Sequence, residues 1–304
     1  MGYITDSLNS IDVSKENTIE LYNIFRLVPD FEIPIVRFYL YKGTSLIRQR
    51  VNLKGVDFNK VSDLGCPPAY CINKYERANL PYQSMFYACC FPGGYGLNDG
   101  VIPPRVITLM ETSSFYRDKS KNGIERSTVS RWELVQDMEL VAMPFLADYN
   151  RACNLIKEIK SEWNDITRQS EVNPEGLELV MYMASEIGKN FSSNIEYFKI
   201  ANFINYLLNI NEKTRNVDGI LYPSVPGEGA GFNVAIKPNS FLKKVKFVRA
   251  SKCYLAKKRD EAFQKVVNNS ISVIDGLISY EDKEVNKQEE DYYLQFAEGI
   301  DFIN

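Results

Sequence analysis

Residues 75–87 read Y-E-R-A-N-L-P-Y-Q-S-M-F-Y, and the reading of the whole chain turns on them. The guanidinium of Arg77, the carboxamide of Asn79, a hydroxyl and phenols stand on a segment that must turn at Pro81. Met85, Phe86 and Tyr87 then open a strand that runs to Cys90. Polar groups set so densely beside apolar ones need partners, because burying each of them unpaired costs about 1–3 kcal/mol. A bound ligand is one such partner.

Two stretches further along match this one in character. Val106–Ser114, V-I-T-L-M-E-T-S-S, reads as an apolar strand ending at Glu111. Asp218–Val225, D-G-I-L-Y-P-S-V, makes a turn at Asp218-Gly219 into I-L-Y-P-S and places Ser224 just after it; the loop G-E-G-A-G and the strand F-N-V-A-I (Phe232–Ile236) follow, with Asn233 inside that strand. Arg77, Glu111 and Ser224 thus occur in the order R, E, S. In these motifs the chain resembles the RES-domain family, named for those three residue types.

The resemblance implies an α+β fold with an ADP-ribosyltransferase-like split β-sheet core and a helical insertion. It implies an NAD-consuming enzyme, NAD being the substrate, of the kind that acts as the toxin of a toxin-antitoxin pair and is neutralised by a separately encoded antitoxin. Arg77, Tyr87, Glu111 and Ser224 would be the catalytic set, and Arg77, Asn79, Tyr87 and Asn233 would bind the dinucleotide, with no metal. Arg77 would grip a phosphate or ribose oxygen, Tyr87 would stack on nicotinamide, and Glu111 would hold the ribose hydroxyls and stabilise the positive charge that develops there. Ser224 would orient substrate or Arg77. It is not read as a nucleophile, since nothing visible activates it.

The match runs loosely from Val36 to Val248. It departs from the family pattern in a longer glycine-rich connection between Tyr87 and Glu111 and in a larger helical segment before Ser224. Those departures leave the acceptor open among water (glycohydrolase), inorganic phosphate (phosphorylase) and a protein side chain (ADP-ribosyltransferase). A non-catalytic module that binds a nucleotide or protein on the same scaffold is a further alternative.

Composition constrains the chemistry independently. The 304 residues contain no histidine, which removes Ser-His-Asp and Cys-His catalysis and makes an ordinary zinc hydrolase improbable. The formal net charge of −3 argues against nucleic acid as the main partner. No run of about eighteen apolar residues and no charged-then-apolar leader is present, so neither a membrane span nor a signal peptide is expected, and the reading places the protein in the cytoplasm. The six cysteines lack metal-ligand spacing and read as free thiols, although Cys66 and Cys71 flank Pro67-Pro68 and could approach each other.

A single domain over 1–304 is expected, with its core at about 36–256. Residues 1–15 read as a loose lead-in, and Ile19, Leu21, Tyr22 and Phe25 share a helical face over 18–25. Val36–Tyr41 reads as a strand whose following Lys42 stands where relatives carry a basic residue, and 44–74 shows no strong period. The glycine-rich 90–100 reads as a connector or lid. Thr128–Met143 reads as a long strand-like region with Thr128, Ser130, Trp132 and Leu134 on one side. The helical insertion at about 148–210 contains one helix started by Asn173-Pro174, with Leu177, Val180, Met181, Ala184 and Ile187 on a face. A second is started by a Ser193/Glu196 capping box, with Tyr197, Ile200, Ala201 and Ile204 inward. Leu242–Leu255 reads as a strand whose lysines, Lys243–Lys246 with Arg249, form its wet edge. A helical, then acidic extension is expected over about 259–304.

Overall fold

The computed structural model describes residues 2–143, 153–168, 172–284 and 286–303. The expected loose lead-in is instead the helix α1 (Tyr3–Ser10), which buries Ile4 and Leu8, and whose Thr5 N–H donates to Glu178. Next comes α2 (Thr18–Phe25), capped by the Asn17 side chain accepting from the Glu20 N–H. Leu21, Tyr22 and Phe25 are buried as the pattern predicts, but Ile19 is 77% exposed, because the helix is short and only one side of it meets the core.

The strand at 36–41 is present as β1 (Val36–Leu40), and a second strand, β2 (Ser45–Val51), lies in the stretch that shows no period. After a short α3 (Val61–Leu64) the chain passes through the 75–87 stretch, turns at Pro81-Tyr82 and enters β3 (Phe86–Cys90) as expected. The expected Glu111 strand is a helix, α4 (Pro104–Thr112), followed by α5 (Ser114–Arg117). Pro104 occupies the first helical position, where its missing N–H has no cost, and this start overrides the β-branched look of V-I-T.

The Thr128–Met143 region divides into β4 (Gly123–Leu134) and β5 (Met138–Ala142), which pair with different neighbours. The predicted face of Thr128, Ser130, Trp132 and Leu134 is buried. The insertion is helical where it is described: α6 (Asn154–Thr167), α7 (Pro174–Ile187), and α8 (Phe198–Asn205), which runs on into a single wider turn at Tyr206–Ile210. Asn173 caps α7 from its side chain to the Gly176 N–H, although Met181 is exposed rather than inward. The capping box before α8 is replaced by Ser192 and Ser193 both holding the Glu196 carboxylate.

Then come β6 (Gly219–Pro223), a strand where the sequence shows only a turn into I-L-Y-P-S, and β7 (Phe232–Ile236), as the sequence predicts. α9 (Pro238–Lys244) takes the first residues of the expected 242–255 strand, so Lys243 and Lys244 end a helix instead of lining a strand edge. β8 (Val245–Lys258), β9 (Glu261–Ile274) and β10 (Leu277–Asp282) follow, and α10 (Lys287–Ala297) closes the order. The extension expected to be helical from 259 is therefore a β-hairpin up to Asp282, and the sheet does not stop near 256.

All ten strands form one sheet in the order β1-β5-β6-β7-β3-β2-β4-β8-β9-β10. Its only parallel pair among these strands is β5 with β6. A parallel pair needs a long crossover, and the helical insertion is that crossover. Tyr22, Phe25, Phe203 and Tyr206 form an aromatic cluster with ring centroids 5.5–6.0 Å apart, tying α2 to α8. Side chains alternate across the sheet. Phe86 and Trp132 therefore meet Phe241 of α9 on one face, Phe86 stacking on Phe241 at 4.4 Å, while Tyr87 and Cys89 point to the other, where α4 lies.

Candidate active site

A gap in the sheet makes the site. β2 pairs with β4 along its whole length and β3 does so with β7, yet β2 and β3 pair only at Leu46↔Cys90 and Ile47↔Cys89. Beyond Ile47 the two strands part, and a cavity of about 700 Å³ opens between them, within the range of small-molecule sites. The backbone N–H of Gln49 donates across to Thr108 Oγ1 on α4 at 3.1 Å. Arg48 reaches into the gap and donates from Nη1 to the Tyr87 carbonyl at 2.7 Å.

Glu111 stands in the last turn of α4 and lines this cavity. Its Oε1 accepts two hydrogen bonds, from Ser224 Oγ at 2.7 Å and from Asn233 Nδ2 at 2.6 Å. Ser224 follows β6 and Asn233 sits on β7, neighbouring strands whose register pairs Tyr222 with Asn233. The amide of Asn233 is oriented from behind: the Cys89 thiol donates to Oδ1 at 3.2 Å, which turns Nδ2 toward the carboxylate. Burial, and next the charge of Glu111, push the Cys89 thiol well above its ordinary range, so it stays a donor. Oε2 takes no hydrogen bond from the described residues.

Ser224 is fully buried and does not line the cavity. Its hydroxyl donates to Glu111 and accepts from the Gly227 N–H at 3.1 Å, so it positions the carboxylate rather than substrate or Arg77. The G-E-G-A-G loop beyond it packs against α4: a Cβ on Gly231 would stand 2.2 Å from Ile107 Cδ1, and one on Gly227 2.7 Å from it. The glycines let the loop and the helix approach closely enough for Ser224 to reach Glu111.

Arg77 lines the same cavity as Glu111. Its guanidinium donates to the carbonyl of Ile187, at the end of α7, and to that of Lys189, and it lies 5.3 Å from the Tyr197 ring centroid. Tyr87 also lines the cavity, with its hydroxyl tied back into the R-A-N segment: it donates to Asn79 Oδ1 at 2.6 Å and accepts from the Ala78 N–H at 3.1 Å. Burial, reinforced by Glu76, pushes the phenol up, so it remains neutral. Asn79 is buried and passes its own amide on to the Leu80 carbonyl. Its clearest role is holding Tyr87.

Four of the expected residues therefore share one cavity wall with Glu111 (Arg77, Asn79, Tyr87 and Asn233), and Ser224 stands directly behind it. Lys42 does not line it. It sits in the short connection between β1 and β2, where its backbone N–H bonds Asp137. The glycine-rich 90–100 connection contributes no residue to the cavity wall among the described residues, so the lid reading fails. Tyr197, expected inward, faces the cavity.

Sequence reading missed three basic residues of the cavity wall. Arg48, Arg50 and Arg117 line the cavity with Arg77, and each is held by backbone carbonyls: Arg48 by Tyr87, Arg50 by Asp63, Arg117 by Met110 and Glu111. Among the described residues none of these four guanidinium groups makes an ion pair with a carboxylate, so the wall keeps their positive charge. Burial, and next the neighbouring Arg50, push Arg48 down to about 10, still cationic near neutrality. The signal available in the sequence was R-Q-R inside S-L-I-R-Q-R-V, an alternation of the kind a strand shows.

Among the described residues no group of histidine, cysteine, aspartate or glutamate is arranged to hold a metal ion, no helix is long and apolar enough to cross a membrane, and all six cysteines are free. The chain matches no family model and no curated protein.

Proposed function

We propose that the cleft between β2 and β3 takes NAD and breaks the bond between nicotinamide and ribose. The observation that carries this is a cavity of about 700 Å³ lined by four arginines that make no ion pair with a carboxylate among the described residues and by two carboxylates, Glu76, which pairs with Lys74, and Glu111, which is clamped on a single oxygen. The arginines suit a pyrophosphate, since planar guanidinium groups bind phosphate oxygens in pairs. The carboxylate suits a ribose ring that gains positive charge as its C1′–N bond breaks. The bonding electrons leave with the pyridinium nitrogen, so the leaving group needs no proton and the chain needs no histidine.

In this reading Oε2 of Glu111 meets the ribose hydroxyls, Tyr87 gives the ring a wall, and Arg77 and Arg48 hold phosphate oxygens. Water attacking C1′ gives ADP-ribose and a proton; inorganic phosphate gives ADP-ribose 1″-phosphate. The likeness of the R-A-N-L-P-Y, M-E-T and Y-P-S segments to the RES-domain family supports the same reading. It adds the expectation of a neutralising antitoxin that covers the cleft.

The test is incubation of the purified protein with NAD, with and without phosphate, followed by chromatography of the products. Free nicotinamide is the expected product, lost in Arg77→Ala and Glu111→Ala. Label transferred to a protein in place of free ADP-ribose would make the enzyme a transferase. Tight binding with no nicotinamide released would make it a binding module.

A further inference from the structure

Gln49 is a buried residue on the cavity wall whose amide makes no hydrogen bond with the described residues. It lies on β2 just where that strand leaves β3, it is 2% exposed, and neither Nε2 nor Oε1 of its amide has a hydrogen-bond partner. The polar groups near it are committed elsewhere. Thr108 Oγ1 accepts the Gln49 backbone N–H, and the Cys89 thiol serves Asn233. A buried amide with no partner costs free energy that a leucine or methionine in its place would not. It also has no hydrogen bond to break, so turning it into the cavity about its side-chain torsions sacrifices none.

The position of the residue narrows what such an amide would read. The register Ile47↔Cys89, together with alternation along the strand, puts Gln49 on the face of the sheet that carries Tyr87, Cys89 and Asn233, the face on which Glu111 is clamped. A carboxamide complements an edge that offers one N–H donor beside one acceptor. NAD has two such edges, the carboxamide of nicotinamide and the 6-amino side of adenine.

We infer that Gln49 is a specificity-determining residue that pairs through its amide with an amide-type donor–acceptor edge of the dinucleotide. Its nearness to the Glu111 face favours the nicotinamide end. The inference rests on the dinucleotide reading above and adds to it the group by which NAD is told from its analogues.

The test compares Gln49→Met with its parent, both in a Glu111→Gln background that slows turnover, by calorimetric binding of three ligands. These are NAD, the 3-acetylpyridine analogue, in which a methyl replaces the amide nitrogen, and the analogue with unsubstituted purine in place of adenine, in which hydrogen replaces the amino group and the donor is gone. The parent is expected to prefer NAD to the acetylpyridine analogue by about tenfold or more, and Gln49→Met to lose that preference while keeping its ratio for the purine analogue. Loss of the purine ratio instead supports pairing with the adenine edge. Unchanged ratios for both analogues, with NAD still bound by the parent, overturn the inference alone. Failure of the parent to bind any of the three overturns the dinucleotide reading and the inference with it. Thermal melting gives a second readout: with no partner to lose, Gln49→Met should melt no lower than its parent, and a clear fall would mean that the amide is structural, overturning its role in recognition.

Discussion

Ser224 and Glu111 stand 113 positions apart and meet at 2.7 Å, the serine hydroxyl donating to one oxygen of the carboxylate. The serine has no face on the cavity, so its effect on a ligand there must pass through Glu111 or through the Gly227 loop that it holds. Ser224→Ala should lower kcat for nicotinamide release by about tenfold and move KM little, because the carboxylate stays but is less firmly aimed. The Gly227 N–H loses its acceptor as well, which should lower stability by about 1 kcal/mol. Steady-state kinetics and urea unfolding check the two halves separately. A large rise in KM with kcat unchanged would mean that the serine holds substrate.

Glu111→Gln keeps the shape of the side chain and removes its charge. The loss of an electrostatic contact aimed at a developing cation should lower the rate on the order of a hundredfold or more. NAD affinity should change much less, since the arginines remain. Single-turnover kinetics beside calorimetry distinguishes this from a general loss of binding.

Asn233→Asp would exchange the donor beside Oε1 for a second carboxylate. Two carboxylates within hydrogen-bond reach cannot both ionise freely, and one of them is pushed up in pKa. The variant should therefore be weakest at neutral and alkaline pH and recover as the pH falls, when the new acid becomes a donor to Glu111. A pH–rate profile for nicotinamide release reads this directly. A profile parallel to that of the parent would mean that Asn233 does not act on Glu111.

How much of this site was legible in the sequence depends on which force set each piece. The Tyr75–Tyr87 stretch, the strand carrying Asn233, and the helix begun by Asn173-Pro174 were readable because turn and cap residues act locally. Val106–Glu111 was not read as a helix because Val106, Ile107 and Thr108 favour strands, and the stronger local signal, Pro104 at the first helical position, was passed over. The 261–282 hairpin carried its own mark in Asp275-Gly276, both with positive φ, at 49° and 76°, between β-branched runs. β2 was harder to see. Its arginines face a cavity that exists only because β3 turns away, and no window of the sequence contains both strands.

The clearance between the glycine loop and α4 predicts a compensating pair. In Gly231→Ala the new Cβ would meet Ile107 Cδ1 and Cγ1 at 2.2 and 2.3 Å, displacing the helix that carries Glu111. Overpacking of that kind costs about 1–3 kcal/mol. Ile107→Ala removes both atoms at a cavity cost of its own. The double variant should be more stable than the sum of the single changes requires, and should regain activity relative to Gly231→Ala. A double-mutant cycle by urea unfolding measures the coupling, and strict additivity would mean that the loop and α4 move independently.

The thiols give a pH dependence whose sign follows from burial. Desolvation pushes Cys66 up to about 11 and Cys90 up to about 12, both above the ordinary thiol value of 9.0. A group whose pKa is higher in the folded state favours folding fully below its unfolded value, and that contribution is lost as the pH rises from 9.0 through the folded value. The contribution of these two thiols to thermal stability should accordingly fall away between pH 9 and 12. Cys90→Ala, which removes one of the ionising groups, should flatten part of that fall.

Arg48 offers the last and most direct test of an anionic ligand. Its Nε has no partner, its Nη1 bonds only the Tyr87 carbonyl among the described residues, and burial beside Arg50 makes its charge costly to hold. An anion in the gap would relieve that cost, so ADP-ribose, which retains the pyrophosphate and lacks the reacting bond, should raise the melting temperature of the parent. At a concentration a hundredfold above Kd the stabilisation should be about 2.7 kcal/mol. Arg48→Met keeps the apolar stem over the Phe86 ring, which the guanidinium faces at 5.4 Å, and loses the charge. Its own melting point should stay close to that of the parent, while at the same ligand concentration most of the ADP-ribose shift disappears. A shift of equal size in both proteins would place the phosphates elsewhere along the wall, nearer Arg77 or Arg117.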